Sequence, residues 1–161
     1  MLNGMPSTRP SGSERLEPQV FRYEKPGYPE GRGKGVQLLG RTDLAFVAVQ
    51  RLKAVGGETN LHTHAWVDGF WMVLTGRVRF YTTDDELIAD LGPMEGVVIP
   101  RNYPYWFGAE GVESEILQFE ANIKRQTVDS KHDTGRIDVG PRRSTQIDKP
   151  PRAREDVVGS N

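Results

Sequence analysis

The sequence predicts an all-β domain of the sandwich or barrel type over residues 36–123. Apolar residues there recur in short alternating runs, as in residues 44–53, and helical periodicity is nearly absent. Glycines such as Gly56, Gly76 and Gly92 punctuate these runs at steady intervals. Many short strands separated by glycine turns are typical of a closed or two-layered β architecture.

Each predicted element follows from its own local pattern. Residues 44–53 alternate, so that Phe46, Ala48, Gln50 and Leu52 share one face. Residues 69–75 are apolar on both faces, as expected of a strand between two layers. Residues 83–86 predict a hairpin turn. The remaining predicted strands cover residues 36–39, a histidine-containing segment after 57, 77–81, 87–91, 97–99, 105–107 and 115–123.

Two arms flank this predicted barrel, because the 161 residues contain only 36% hydrophobic side chains. Residues 1–35 form an N-terminal arm, disordered to about residue 20. Its aromatic part (Phe21, Tyr23 and Tyr28) is expected to dock along the domain or across a second subunit. Residues 124–161 form a polar tail expected to be disordered or extended, with His132 in solvent.

Composition excludes several classes of function. The chain has no cysteine, which removes disulfides, thiolate metal sites and a cysteine nucleophile. Its basic residues are scattered and form no stripe with interleaved aromatics, so no nucleic-acid partner is expected. No apolar run is long enough to span a membrane. A soluble cytoplasmic protein acting on a small molecule is the resulting expectation.

The chemistry is predicted to centre on His62 and His64. Side chains two apart on a strand point to the same face, so the two imidazoles would aim at one point. That geometry suits a metal ion or a bound polar substrate.

The surrounding residues give this segment a recognisable order: Gly56, five residues, His62, His64, an apolar strand and Gly76. This order resembles the first motif of the cupin superfamily. The resemblance covers residues 36–123 and implies a double-stranded β-helix, a small jelly-roll barrel, with extended N- and C-terminal arms. It also implies a homodimer, since cupins commonly pair sheets side by side.

A second segment, residues 94–109, resembles the second cupin motif. Pro100 matches that motif, and Asn102 stands at its turn glycine. Asparagine is the residue that best replaces glycine in a left-handed conformation. Tyr105 occupies the position of the last metal-binding histidine.

The resemblance implies an altered ligand set: His62, His64, Gly69 in place of the usual glutamate, and Tyr105. Asp68 would complete a two-histidine, one-carboxylate face if the chain bulges there. Such a face suits non-haem iron with open positions. The first expectation is therefore a divalent metal (Fe, Ni, Mn or Zn) on His62, His64 and Asp68, assisted by Tyr105, in an oxygenase-like reaction.

Two alternatives need no metal. His62 or His64 as base and Tyr105 as acid would suit an epimerase, isomerase or dehydratase. A small-molecule binding or sensing protein without catalysis is the third class. In every case Trp71 and Phe107 are predicted pocket walls, and Gln50 is predicted to reach the cavity.

Overall fold

The structure, a computed structural model, describes residues 17–127 and 131–140. Within these segments it is built from strands, with one short 3-10 turn at Thr83–Asp85 and no α-helix. The strands are β1 (Lys34–Arg41), β2 (Ala45–Leu52), β3 (His62–His64), β4 (Val67–Thr75), β5 (Val78–Tyr81), β6 (Leu87–Leu91), β7 (Gly96–Ile99), β8 (Trp106–Ala109), β9 (Ser114–Asn122) and β10 (Arg136–Asp138). Across these same segments, no helix has the length and apolarity to cross a membrane.

The strands form two opposed layers. One is a five-stranded antiparallel sheet in the order β1-β2-β9-β4-β7. The other contains β6-β5-β8 and the pair β10-β3, and the antiparallel bridge between His62 and Tyr105 joins these two parts. This arrangement matches the all-β barrel predicted from the alternating runs.

The core lies between the layers and ends at the candidate site. Its fully buried side chains come from both sheets, because alternate residues of each strand face inward. Trp71 of β4 packs on Phe107 of β8 with ring centroids 4.8 Å apart. The cluster comprises Leu52, Trp71, Val73, Val78, Phe80, Leu91, Ile99, Tyr105, Phe107 and Ile116.

Two turns show why the motif residues are needed. Gly76 has φ +83°, and a Cβ there would lie 2.2 Å from Ser114 Oγ, so no larger residue fits. Asn102 has φ +65°, the left-handed conformation predicted for it. Its backbone N–H donates to the His64 carbonyl at 2.8 Å, which ties this turn to the histidine strand.

The N-terminal arm docks along the domain over residues 17–33. Gln19 exchanges hydrogen bonds with the backbone of Arg41, and the Tyr28 hydroxyl donates to Glu113 at 2.9 Å. The Arg51 guanidinium lies 4.3 Å above the Tyr28 ring. Residues 1–16, also expected to be disordered, lie outside the described residues.

The C-terminal tail was expected to be disordered or extended, and its residues 131–140, here called the C-terminal segment, include an extended strand that was not predicted. Its strand β10 pairs antiparallel with β3, Arg136 opposite His64 and Asp138 opposite His62. The sequence did not reveal this strand because β10 is three exposed residues long and carries one apolar side chain, Ile137. The rest of the tail, residues 128–130 and 141–161, lies outside the described residues.

Candidate functional site

The two histidines meet inside the barrel as their spacing predicted. His62 and His64 are 2% and 9% exposed, and their ring centroids are 4.8 Å apart at 84°. Strand β3 holds them between the Tyr105 bridge on one side and β10 on the other. The two imidazoles therefore share one enclosed space.

Hydrogen bonds orient both rings. His62 Nδ1 lies 2.6 Å from the Asn60 carbonyl oxygen. A carbonyl only accepts, so Nδ1 carries the proton in the neutral ring and Nε2 keeps its lone pair. His64 Nδ1 lies 2.6 Å from the Thr134 hydroxyl, a group that either donates or accepts. Anchoring at Nδ1 is the arrangement that metal-binding histidines use.

Burial keeps both rings neutral at ordinary pH. It lowers the pKa of His62 from 6.5 to about 4, and the nearby basic residues Arg136 and Lys34 act in the same direction. Burial likewise lowers the pKa of His64 to about 4, with a further contribution from His62. Neutral imidazoles are ligands for transition metals and weak bases.

Tyr105 stands beside the pair. Its ring centroid is 4.5 Å from that of His62 and 6.1 Å from that of His64. Burial raises the pKa of the Tyr105 phenol well above its usual value. The side chain therefore stays a protonated hydrogen-bond donor at neutral pH.

These groups line a cavity of about 70 Å³, the volume of two or three water molecules in the liquid. The predicted walls Trp71 and Phe107 and the predicted pocket residue Gln50 all lie on it. The full lining is Lys34, Gln50, Thr59, His62, His64, Trp71, Tyr105, Phe107, Gln118, Glu120 and Arg136.

Asp68 is not brought to this site. It lies on the opposite face of β4, where its carboxylate accepts from the Arg101 backbone N–H and guanidinium, both at 2.9 Å. The bulge that would turn it inward does not form, and β4 pairs regularly with β9 through Asp68 and Gly69. Gly69 does face inward, and a Cβ there would lie 3.0 Å from Trp71 Nε1. The Trp71 indole thus occupies space next to the position where the cupin motif carries a glutamate.

The buried carboxylate of the site is Glu120, which the sequence analysis missed. It is 3% exposed and lies on β9 two residues after Gln118, facing inward. A Gln-x-Glu pair at the inward positions of a buried apolar strand was the available signal. His132, expected in solvent, lies on the barrel instead: its Nε2 is 2.7 Å from Glu120 Oε2, and its ring stacks on Phe46 at 4.6 Å.

These groups form a chain of hydrogen bonds that reaches the cavity. The Gln118 amide donates to Glu120 at 2.6 Å, and the Gln50 amide donates to Gln118 Oε1 at 2.6 Å. Gln50 is 6% exposed, and its Oε1 is buried without a hydrogen-bond partner in the described residues. An unpaired buried acceptor is costly unless a ligand satisfies it.

The donor set fits a divalent metal ion in part. His62 offers an oriented Nε2 lone pair and His64 lies beside its ring. Gln50 lines the same cavity and has a buried, unpaired Oε1. Imidazoles suit Fe, Ni or Zn, and an amide oxygen extends the set toward Mn. Among the described residues, no three His, Cys, Asp or Glu side chains are grouped to hold a metal. A bound ion would therefore depend on Gln50, Tyr105 or its substrate for further ligands.

A larger cleft of about 590 Å³ lies next to the inner cavity and shares Lys34, Thr59 and Arg136 with it. Both flanking segments contribute to its wall, Pro29 and Arg32 from the N-terminal arm and Arg136 from β10. The volume is typical of a small-molecule site. The other lining residues are Gly33, Gly56, Gly57, Glu58 and Asn60.

Comparison with known proteins identifies the fold. No protein-family model matches the sequence, and no curated protein matches it. Solved structures do match. An RmlC-like cupin from Desulfovibrio desulfuricans is 18% identical, with TM-score 0.54 over 66% of this chain and 97% of that one.

A double-stranded β-helix protein from Klebsiella pneumoniae is 13% identical, with TM-score 0.55 over 69% of this chain and 100% of that one. KdgF from Halomonas is 14% identical, with TM-score 0.53 over 60% of this chain and 86% of that one. The chain therefore has the cupin fold that its two motifs resemble.

Proposed function

We propose that this chain is a small-molecule enzyme in which His62 and His64 hold a divalent metal ion and Tyr105 donates a proton to the substrate. The observation that carries the proposal is the hydrogen bond of His62 Nδ1 to the Asn60 carbonyl, which leaves the Nε2 lone pair free in a ring packed beside those of His64 and Tyr105. A bound ion would act there as a Lewis acid that polarises a substrate oxygen.

The protein's own groups have separate tasks in this proposal. Trp71 and Phe107 exclude water from the reacting atoms, since both are buried on the cavity wall. The Tyr105 phenol is a hydrogen-bond donor held in place by the backbone bridge to His62. Gln50 Oε1 accepts from the substrate or contributes to the metal site. Proton donation to an oxygen of the substrate is the step that these groups can supply.

The oxygenase-like reaction expected from the sequence depended on a third, carboxylate ligand from Asp68. Asp68 faces Arg101 on the outer side of the barrel, so it provides no such ligand in this conformation. We therefore favour non-oxidative chemistry.

The two spaces indicate how a substrate would lie. The inner cavity takes only its reacting end, and the outer cleft takes the remainder. Three side chains lining the cleft are basic (Arg32, Lys34 and Arg136) and one is acidic (Glu58). Asp138 pairs with Arg136 and offsets part of its charge. We expect a small substrate with a negatively charged group.

A second candidate function uses no metal: His62 Nε2 takes a proton from the substrate and Tyr105 supplies one. The same ring contact of 4.5 Å supports it. It ranks below the metal-dependent function because a histidine with a pKa of about 4 is a weak base at neutral pH. Binding without turnover and association into a homodimer also stay predictions.

Metal titration of the untagged, metal-stripped protein tests the proposal. We expect one Fe(II), Ni(II), Mn(II) or Zn(II) ion per chain by calorimetry and elemental analysis, and no binding in His62→Ala or His64→Ala. Asp68→Ala is the matched control, because it removes an acidic residue four positions after His64 and six after His62 that lies outside the cavity. Loss of metal in Asp68→Ala, or a wild-type protein that binds none of these ions, would refute the proposal.

A further inference from the structure

The hydrogen bonds that join Gln50, Gln118 and Glu120 on the cavity wall have a single direction. As a carboxylate, Glu120 has only acceptor atoms, so the Gln118 amide must turn its NH₂ toward Glu120. The Gln118 carbonyl oxygen then points to Gln50 and can only accept. Gln50 must in turn use its NH₂ for this bond, which leaves its own Oε1 unpaired. The charge on Glu120 thus determines which end of the Gln50 amide is left unpaired.

The C-terminal segment holds the far end of this chain. His132 Nε2 donates to the second oxygen of Glu120 at 2.7 Å, and its ring stacks on Phe46. The Asn122 side chain, two residues beyond Glu120 on β9, donates to the Asp133 carbonyl at 3.0 Å. Glu120 is therefore fixed between a residue of the tail and a residue of the cavity wall.

We propose that Glu120 is a positioning residue which, through Gln118, keeps Gln50 Oε1 as a hydrogen-bond acceptor for the ligand of the cavity. The site then requires an occupant that presents a metal ion, a hydroxyl or an N–H group to Gln50. In this scheme Glu120 acts on the occupant through Gln118 and Gln50. The proposal rests on the proposed function only where the occupant is a metal ion.

The direction of the hydrogen-bond chain can be tested by moving the carboxylate from position 120 to position 50. Glu120→Gln removes the group that sets the direction, so Gln118 can reverse and Gln50 can present NH₂ to the cavity. Gln50→Glu alone places a carboxylate against the Gln118 carbonyl oxygen, which repels it. In the double variant Glu120→Gln, Gln50→Glu the whole hydrogen-bond chain can reverse. The amide at position 120 then donates to Gln118, and Gln118 donates to the carboxylate at position 50. A carboxylate oxygen at position 50 again remains as an acceptor for the cavity.

Two measurements follow from this scheme. Thermal and urea unfolding of the metal-free proteins should show both single variants destabilised and the double variant restored toward the wild type. Zn(II) affinity should fall about tenfold or more in Glu120→Gln and recover in the double variant. A residue with only a packing role would give additive losses, because no reversal of the hydrogen-bond chain would then couple the two positions.

The outcomes separate the two proposals. Restored stability, with no Fe(II), Ni(II), Mn(II) or Zn(II) bound by the wild type, supports the positioning role and refutes the metal site. Zn(II) binding with additive losses of stability and affinity refutes the positioning role alone. If Glu120→Gln does not fold, NMR of the side-chain amides in the wild-type protein determines the direction of the hydrogen-bond chain. The Gln50 NH₂ protons should show contacts to Gln118, and a reversed Gln50 would overturn the proposal.

Discussion

The Nδ1 atom of His64 lies 2.6 Å from the hydroxyl of Thr134, which joins the candidate site to a tail that was expected to be disordered or extended. Two further bonds hold Thr134 in place, since the Ala65 and Trp66 backbone N–H groups donate to the Gly135 and Thr134 carbonyls at 3.1 and 3.0 Å. The C-terminal segment therefore forms part of the wall of the site, as β3 does.

Replacing Thr134 by valine should weaken both the fold and metal binding. The change keeps the volume but removes the only hydroxyl that contacts His64 Nδ1 among the described residues. We expect a loss of about 1–3 kcal/mol in the free energy of unfolding and a ~10- to 100-fold loss of Zn(II) affinity. Urea unfolding and calorimetry measure these two quantities.

Thr134→Ser retains the hydroxyl and is the control for that experiment. It should bind Zn(II) like the wild type. Equal affinities in Thr134→Val and the wild type would mean that the tail does not orient His64.

The fold could be predicted from the sequence because its determinants are local. Alternation placed Gln50 on an inward face, and Asn102 at a turn has the left-handed conformation predicted for it. The pairing of His62 with His64 needs only the period of a strand. Strand alternation also predicted that Trp71 and Phe107 face inward, and both line the cavity.

The composition of the site could not be predicted in full, because it depends on contacts between distant segments. Glu120 and His132 meet across twelve positions, and His64 and Thr134 across seventy. Whether Asp68 turns inward depends on a bulge, which in turn depends on the pairing of β4 with β9. No periodicity in a single strand carries that information.

The stability of the metal-free protein should fall steeply on the acid side of neutrality. His62 and His64 have folded pKa values of about 4 against 6.5 as the reference value. Between pH 6.5 and pH 4 the two histidines bind protons in the unfolded chain and stay largely unprotonated in the folded chain. The free energy of unfolding therefore decreases as pH falls from 6.5 to 4. At pH 4 the loss amounts to about 3 kcal/mol for each histidine.

Urea unfolding from pH 8 to pH 4 measures this dependence. Carboxylates also titrate at the lower end of the range, so the comparison is with His62→Asn, His64→Asn, which should lose most of the slope between pH 6.5 and 5. An unchanged slope in that double variant would show that the two histidines are protonated as readily in the folded state as in the unfolded one.

Arg136 should contribute to binding more than to turnover. Its side chain lines both the inner cavity and the outer cleft, where it would face the charged group of a substrate. For an anionic substrate, Arg136→Gln should raise KM about tenfold with a smaller change in kcat. Arg77→Gln is the control, because Arg77 pairs with Asp90 at the far end of the second sheet. A larger effect on kcat than on KM would place Arg136 at the reacting atoms instead.

Tyr105→Phe should separate catalysis from binding. The phenol is buried, protonated and in ring contact with His62, so the substitution removes a proton donor and leaves the wall of the cavity in place. With a substrate found by screening small anionic compounds, turnover should fall by about 10²- to 10⁴-fold. The affinity for Zn(II) and for the substrate should stay within a few-fold of the wild type. Stopped assays and calorimetry on the same preparations compare these quantities. Full turnover in Tyr105→Phe would assign the proton to another donor, while loss of both turnover and metal would make Tyr105 a ligand.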